Sequence, residues 1–213
     1  MRVNEQGRSM IEMLGVLAIV GVLSVGGIAG YSKAMAKFKA NKVIDQVTMI
    51  STNIRTLFAS QRTFKGLDNS LAKKTNAIPA EMYETTSDST INNGFGGSVY
   101  ITTGYHLGKE DNAYIVVFDN IPKAACVTMA TTDWGGDAGS GFAYMSVMGA
   151  ENNATKADAA ASAAAQSTAT ASMTGVTGYA IPGDDDNPSP MSVVDATTAC
   201  QDDTNNVFIW KYI

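Results

Sequence analysis

The sequence predicts an α+β fold in which one long N-terminal α-helix packs on an antiparallel β-sheet. Three observations predict it. The first is an uncharged apolar run over residues 13–32, and the second is an apolar stripe with helical spacing that continues from it. The third is a set of short alternating segments after a cluster of glycines. The chain has 213 residues, so one globular domain of about 150 residues can follow the apolar run.

The apolar run comes first along the chain. Residues 13–32 carry no charge, and Lys33 is the first charged residue after them. A helix that crosses a bilayer needs about 20 such residues. A secretory signal peptide is the alternative, with small residues at Ala34 and Ala36, but its apolar core is usually only about 7 to 15 residues long. The length of the run therefore favours a membrane-spanning helix.

The helical pattern continues beyond the apolar run. Apolar residues recur there at spacings of mostly three and four, which place them on one side of a helix. These residues are Tyr31, Met35, Phe38, Val43, Val47, Ile50, Ile54 and Leu57. A helix over residues 9–60 would be ~78 Å long. Its second half, within residues 33–64, is predicted to be amphipathic and to pack on the sheet.

Strands are predicted after the glycines of residues 94–97. Glycine permits a turn there, and the alternation that follows predicts strands over 98–103, 114–119 and 207–212. The polar stretch before them, residues 67–90, predicts a connecting loop with short helices. Asn120 as a helix cap, with Pro122 in the first turn, predicts a short helix that carries Cys126 and reaches about Thr132. A strand is the alternative at that place.

Two cysteines, Cys126 and Cys200, stand far apart and beyond the candidate membrane segment. This arrangement suits one disulfide in an oxidising compartment better than a metal site. Two reduced thiols are the alternative. The region 126–200 between them contains an Ala/Ser/Thr-rich stretch at 154–173, whose composition is compatible with a surface helix or with an extended segment.

The composition argues against nucleic-acid binding and against catalysis. With Lys+Arg 15 and Asp+Glu 20, the chain lacks the basic footprint expected if nucleic acid were its main partner. His106 is the only histidine, and the usual nucleophile, zinc and phosphate-loop motifs have no matching residues. We therefore predict no catalytic residue, no metal and no cofactor. The aspartates at 184–186 could bind Ca²⁺, but a solvated turn is favoured because their spacing matches no EF-hand loop.

The segment before the apolar run carries the most specific signal. It reads GRSMIE over residues 7–12 and leads without a break into MLGVLAIV over residues 13–20. This arrangement resembles the leader junction of type IV prepilins, in which a peptidase cuts after a glycine and a glutamate stands fifth in the mature chain. Cleavage after Gly7 would make Arg8 the first mature residue and Glu12 the fifth. Residues 77–82 and 91–101 resemble the segment that leads into the first strand in the type IVb branch.

The resemblance implies roles for three residues of this segment. Prepilin cleavage would occur between Gly7 and Arg8, Arg8 would be N-methylated, and Glu12 would act in assembly. A carboxylate in an apolar helix costs roughly 2 to 4 kcal/mol or more unless it finds a partner. The methylated ammonium of a neighbouring copy would supply that partner and fix the axial stagger between helices. The alternative is that Glu12 is a solvated charge at the membrane interface.

The resemblance also implies a type IV pilin fold and a division of the chain. Residues 1–7 would form the leader peptide, 8–32 the hydrophobic transmembrane and polymerisation half of the helix, and 33–64 its amphipathic second half. Residues 65–213 would form the globular head, with the disulfide-bounded region 126–200.

The implied function is that of a major pilin in a type IVb-like pilus. Such a subunit forms a helical homopolymer on a Gram-negative cell surface, used for attachment, aggregation or conjugation. Its other partners would be a prepilin peptidase, the inner-membrane pilus assembly machinery and, before assembly, the inner membrane itself. A minor pilin, a type II secretion pseudopilin and a membrane-anchored periplasmic domain are the alternatives. An adhesin role for residues 154–173 is a further hypothesis.

Overall fold

The computed structural model describes residues 10–83, 90–136, 139–149, 176–201 and 206–213. The chain divides into two compact units, Met1–Phe38 and Lys39–Ile213. The helices of the described ranges are α1 (Met10–Phe58), α2 (Asn69–Lys74), α3 (Lys123–Ala130) and α4 (Val193–Ala199). The strands are β1 (Val99–His106), β2 (Lys109–Ile121), β3 (Phe142–Met148), β4 (Val176–Ala180) and β5 (Asn206–Tyr212).

The five strands form one antiparallel sheet in the order β1-β2-β5-β3-β4. Strands β1 and β2 form a hairpin, and the last strand of the chain, β5, lies in the centre of the sheet between β2 and β3. The predicted α+β class is therefore confirmed. Strands β1, β2 and β5 confirm the three predicted strands, and each extends beyond its predicted bounds.

The amphipathic half of α1 is confirmed by burial. Val43, Val47, Ile50 and Ile54 are fully buried in the main core. The buried hydroxyl of Tyr114 on β2 also donates a hydrogen bond to the backbone oxygen of Ser51, at 3.2 Å. Each fully buried aliphatic side chain stabilises the fold by about 1.5–3 kcal/mol. Packing against the sheet thus holds this part of α1.

The beginning of the predicted stripe has a different environment. Tyr31 and Phe38 are exposed, although they continue the helical spacing of the buried residues. Both belong to the N-terminal unit, which ends at Phe38. The apolar spacing therefore predicts the helix correctly, but within this single chain it predicts burial only from Ala40 onward.

Helix α1 ends at Phe58, six residues before the end of the predicted second half. The backbone N–H of Phe64 donates to the carbonyl of Asp111 on β2 at 2.7 Å. The Phe64 ring lies between Phe58 and Tyr114, with centroid distances of 5.4 and 4.8 Å. These contacts hold Phe64 on the sheet, and residues 59–64 therefore turn away from the helix axis. Gly66, with a φ of +82°, completes the change of direction.

The connection between α1 and the sheet contains the predicted short helices. Helix α2 is capped by Asp68, whose carboxylate accepts the N–H of Leu71 at 2.7 Å. A single 3-10 turn follows at Ala80–Met82. The amide of Asn69 donates to the carbonyl of Val99 and accepts the N–H of Ile101, at 2.9 and 2.7 Å. This side chain therefore satisfies two backbone groups on the outer edge of β1.

Helix α3 confirms the prediction that Cys126 lies on a short helix, but its start is different. Asn120 does not cap the helix, since β2 continues to Ile121 and Asn120 has a φ of 59°. The cap position is Pro122, which makes no side-chain capping bond. The structure therefore corrects the predicted role of Asn120, because the strand extends through it.

The sequence does not predict β3, β4 or α4. The segment FAYMSVM of β3 is almost wholly apolar and shows no alternation, because a central strand buries both of its faces. Strand β4 contains Gly178 in its middle, which ordinarily weakens a strand. A Cβ at Gly178 would lie 2.5 Å from the Cβ of Ala199 on α4. The glycine is thus required by the close approach of α4 to β4.

The face of the sheet opposite α1 is also buried. It carries a second apolar cluster, centred on Ile115 and Val117 of β2 and on Val207 and Ile209 of β5. Lys211 lies on this face and is fully buried, with its Nζ 5.6 Å from the centroid of the Tyr144 ring. Burial lowers the pKa of Lys211 from its usual 10.5 to about 8.

This lowered pKa predicts that the head becomes more stable between about pH 8 and pH 10. In that window the unfolded chain keeps a proton that Lys211 in the folded chain loses, so the free energy of unfolding rises with pH. The rise is at most about 1.4 kcal/mol per pH unit for one proton. Above this pH window the free energy of unfolding falls. Burial raises the pKa of Tyr114 and Tyr212, so these tyrosines ionise at lower pH in the unfolded chain than in the folded one.

Urea unfolding of the full chain in detergent at pH 7.5, 8.5 and 9.5 measures this rise. The variant Lys211→Met keeps the length of the side chain and removes its charge, so its unfolding midpoint should not rise over the same range. An equal rise in the variant would assign the pH dependence to another group.

Candidate functional site

The N-terminal half of α1 is apolar and exposed. Its most apolar window of 18 residues has a mean hydropathy of 2.2, and none of that window is buried. By length and composition α1 is thus a candidate membrane span. Exposed apolar surface on this scale indicates contact with lipid or with another protein.

Glu12 is the single acidic residue in the first turn of α1. Its helical neighbours Met10, Ile11 and Leu14 are exposed apolar residues. Glu12 forms no ion pair with any residue in the described ranges. The helix thus presents one carboxylate on an apolar surface, where it can accept charged hydrogen bonds from a group outside the chain.

Five glycines lie along the same half of α1. Apart from the glycine's own stretch of helix, no atom of the described residues lies within 4 Å of a Cβ built at any of them, so packing within this part of the chain does not require glycine there. They are Gly15, Gly21, Gly26, Gly27 and Gly30. Small residues of this kind let helix backbones approach closely in membranes and in helix assemblies.

Three predicted features lie outside the described residues. These are Gly7, Arg8 and the Ala/Ser/Thr-rich stretch 154–173. Cleavage after Gly7 and N-methylation of Arg8 therefore stay predictions, as does the partner of Glu12.

The predicted disulfide is present between Cys126 and Cys200, with a Cα–Cα distance of 5.8 Å. Cys126 lies on α3 and Cys200 follows the last residue of α4, and both are buried. The N–H of Met191, just before α4, also donates to the carbonyl of Ala130 at the end of α3, at 3.1 Å. The bridge thus joins the two helices at the base of the region that the cysteines bound.

Gln46 makes two tertiary hydrogen bonds that the sequence does not predict. It is buried within the apolar stripe of α1, and its amide nitrogen donates to Glu81 at 2.9 Å. Its amide oxygen accepts the N–H of Gly94 at 3.2 Å. Lys42 also pairs with Glu81 at 3.4 Å. The hydrogen bond from Gln46, followed by Lys42, lowers the pKa of Glu81. A polar residue within the apolar stripe is the sequence signal that could have predicted these hydrogen bonds.

The aspartates at 184–186 form a turn. The carboxylate of Asp184 accepts the backbone N–H groups of Asp186 and Asn187, at 2.9 and 3.0 Å. No group of three metal-ligating side chains occurs within the part of the chain that the structure describes. His106 is the last residue of β1.

The sequence model of the Bundlin family matches residues 33–180, which is more than half of the chain. The chain belongs to the bundlin family. Two curated relatives support this assignment, each 32% identical over 169 residues that cover 78% of this chain and 82% of the relative. Both are named major structural subunit of bundle-forming pilus, one from Escherichia coli O111:H- and one from Escherichia coli O127:H6 (strain E2348/69 / EPEC).

This bundlin-family chain also resembles a solved structure. The crystal structure of TcpA, a type IV pilin from Vibrio cholerae El Tor biotype, matches with a TM-score of 0.54 and 14% sequence identity. The match covers 82% of this chain and 99% of that one. The similarity shows the fold, so the predicted type IV pilin fold is confirmed.

Proposed function

We propose that this chain is the major structural subunit of a type IVb-like pilus, an extracellular fibre on a Gram-negative cell surface used for attachment, aggregation or conjugation. The observation that carries the proposal is the exposed apolar half of α1 with its single carboxylate, Glu12. Membership of the bundlin family and the names of the two Escherichia coli relatives support it. The protein acts by assembly with copies of itself, and we assign it no enzymatic reaction.

Assembly begins with processing of the N-terminus. A prepilin peptidase removes the leader 1–7, and the new α-amino group of Arg8 is methylated. The methylated amine keeps its positive charge, so it can pair with the Glu12 carboxylate of an adjacent copy. In an apolar surrounding this pair is strong, whereas an isolated carboxylate is costly. Pairing between copies thus fixes how far one helix is displaced along the fibre relative to the next.

Before assembly, the precursor resides in the inner membrane. Residues 8–32 cross the bilayer, residues 33–64 form the amphipathic second half of the helix, and residues 65–213 form the head. The inner-membrane pilus assembly machinery then moves the subunit from the bilayer into the fibre. The exposed glycines of α1 support this step, because they allow neighbouring helices to pack closely in both surroundings.

Mass spectrometry of the mature chain in fibres sheared from cells tests the proposal. We expect abundant chains that begin at Arg8 and carry one additional methyl group at the N-terminus. A chain that retains Met1 and stays with the cells would indicate a membrane-anchored periplasmic domain instead. A processed chain that is rare in the fibres would indicate a minor pilin or a type II secretion pseudopilin.

A further inference from the structure

The turn of the β1–β2 hairpin has an unusual residue. His106 pairs with Lys109, so the turn consists of Leu107 and Gly108, whose φ angles are 49° and 74°. Two positive φ angles are typical of a type I′ turn, in which Asn-Gly is the favoured pair. Leucine is disfavoured in this conformation, because its Cβ crowds the following carbonyl group. The hairpin thus contains a local strain that an asparagine would relieve.

The same leucine is exposed. Its side chain is 72% exposed, and Tyr105, two residues earlier, is 40% exposed. Leu107 therefore makes little contact inside its own chain that could offset the strain. Strained residues at exposed positions commonly belong to binding sites, and an exposed apolar side chain gains free energy when a partner covers it. The tip of this hairpin is thus suited to insertion into an apolar recess.

A recess of suitable character lies at the C-terminal end of α1. It is a groove of about 520 Å³ whose apolar part comes from Phe58, Ala59, Phe64 and Ile213. Arg55 also lines it and is held in place by a hydrogen bond to the carbonyl of Gly139 at 2.6 Å. Arg55 has the one charged side chain among the described residues that line the groove. The groove therefore suits an apolar side chain that is followed by a carboxylate.

The hairpin supplies both features. Leu107 provides the apolar group, and Glu110, exposed at the start of β2, provides the carboxylate. We propose that Leu107 of one copy inserts into this groove of a neighbouring copy in the fibre, with Glu110 beside Arg55. A contact between two different surfaces of identical chains repeats without closing when its rotation does not close a ring, and this produces a helical filament. The inference rests on the proposed pilus function. It adds a specific contact between the heads of neighbouring subunits in the fibre.

The variant Leu107→Asn tests the contact, because its two expected effects have opposite signs. Asparagine fits the turn, so the midpoint of urea unfolding of the full chain in detergent should rise. The inserted apolar group is lost, so the yield of sheared fibres should fall at least fivefold. The control Val194→Asn makes the same change of polarity on α4, at a residue that is 75% exposed, and should leave the fibre yield unchanged. A stabilised Leu107→Asn chain with a normal fibre yield would overturn the proposal.

Crosslinking locates the partner surface directly. Two chains are expressed together, one with Leu107→Cys and one with Thr56→Cys, since Thr56 lines the groove. Oxidation of fibres should then give disulfide-linked dimers that are absent when either chain is expressed alone. Fibres without such dimers would place the hairpin elsewhere and contradict the contact. Absence of fibres from the unmodified chain would instead count against the proposed pilus function, so the two failures can be told apart.

Discussion

Replacing Glu12 with glutamine is expected to abolish fibre formation while the precursor remains in the membrane at its normal level. Glutamine has nearly the same shape as glutamate, so α1 keeps its helix and its apolar surface. Only the charge is lost, and with it the proposed ion pair between neighbouring copies. Removing one partner of a buried ion pair typically costs about 3–5 kcal/mol. Because every copy in the fibre loses this pair, we expect the fibre yield to fall by at least a hundredfold.

Electron microscopy and immunoblots of sheared material measure this loss, and membrane fractions measure the precursor. The control is Ser24→Ala, which removes a polar group from the same half of α1. The hydroxyl of Ser24 donates to the carbonyl of Val20 in its own helix, at 2.7 Å, so this variant should assemble normally. A Glu12→Gln chain that forms fibres at the normal yield would show that Glu12 is not needed for assembly.

The features that the sequence predicted correctly are those encoded by a local pattern. The stripe from Val43 to Ile54 has helical spacing, and a helix that packs on a sheet needs that spacing. The central strands β2 and β5 are also local signals, since each contains a short apolar segment rich in β-branched or aromatic residues. The cysteines could be paired because the chain has only two.

The features that the sequence missed depend on residues far apart in the chain. Gln46 bonds to Glu81 and Gly94, which belong to two different connecting segments. Gly178 weakens the signal of β4, yet it is required by contact with Ala199. The Leu107-Gly108 turn lacks the Asn-Gly signal of a tight hairpin, so sequence patterns give no reason to expect one. In each case the tertiary contact, rather than the local preference, determines the structure.

Removing the disulfide is expected to destabilise the head strongly. Cys126 and Cys200 are 74 residues apart, and closing a loop of that length stabilises a fold by about 4 kcal/mol in the chain-entropy model. Single domains are typically stable by only about 5–15 kcal/mol. We therefore expect the double variant Cys126→Ser/Cys200→Ser to unfold at a much lower urea concentration, as measured on the full chain in detergent. Thr198→Ser, a change to an exposed residue of α4, should leave the midpoint unchanged.

The structure also predicts which part of the head is lost first. Helix α4 has seven residues and buries only Ala196 and Ala199, and strand β4 is an edge strand that pairs only with β3 among the described strands. Strand β5, by contrast, is buried throughout and pairs on both sides. Without the bridge, amide hydrogen exchange should therefore accelerate more in α4 and β4 than in β5. Equal acceleration in all three elements would mean that the disulfide stabilises the head as one cooperative unit.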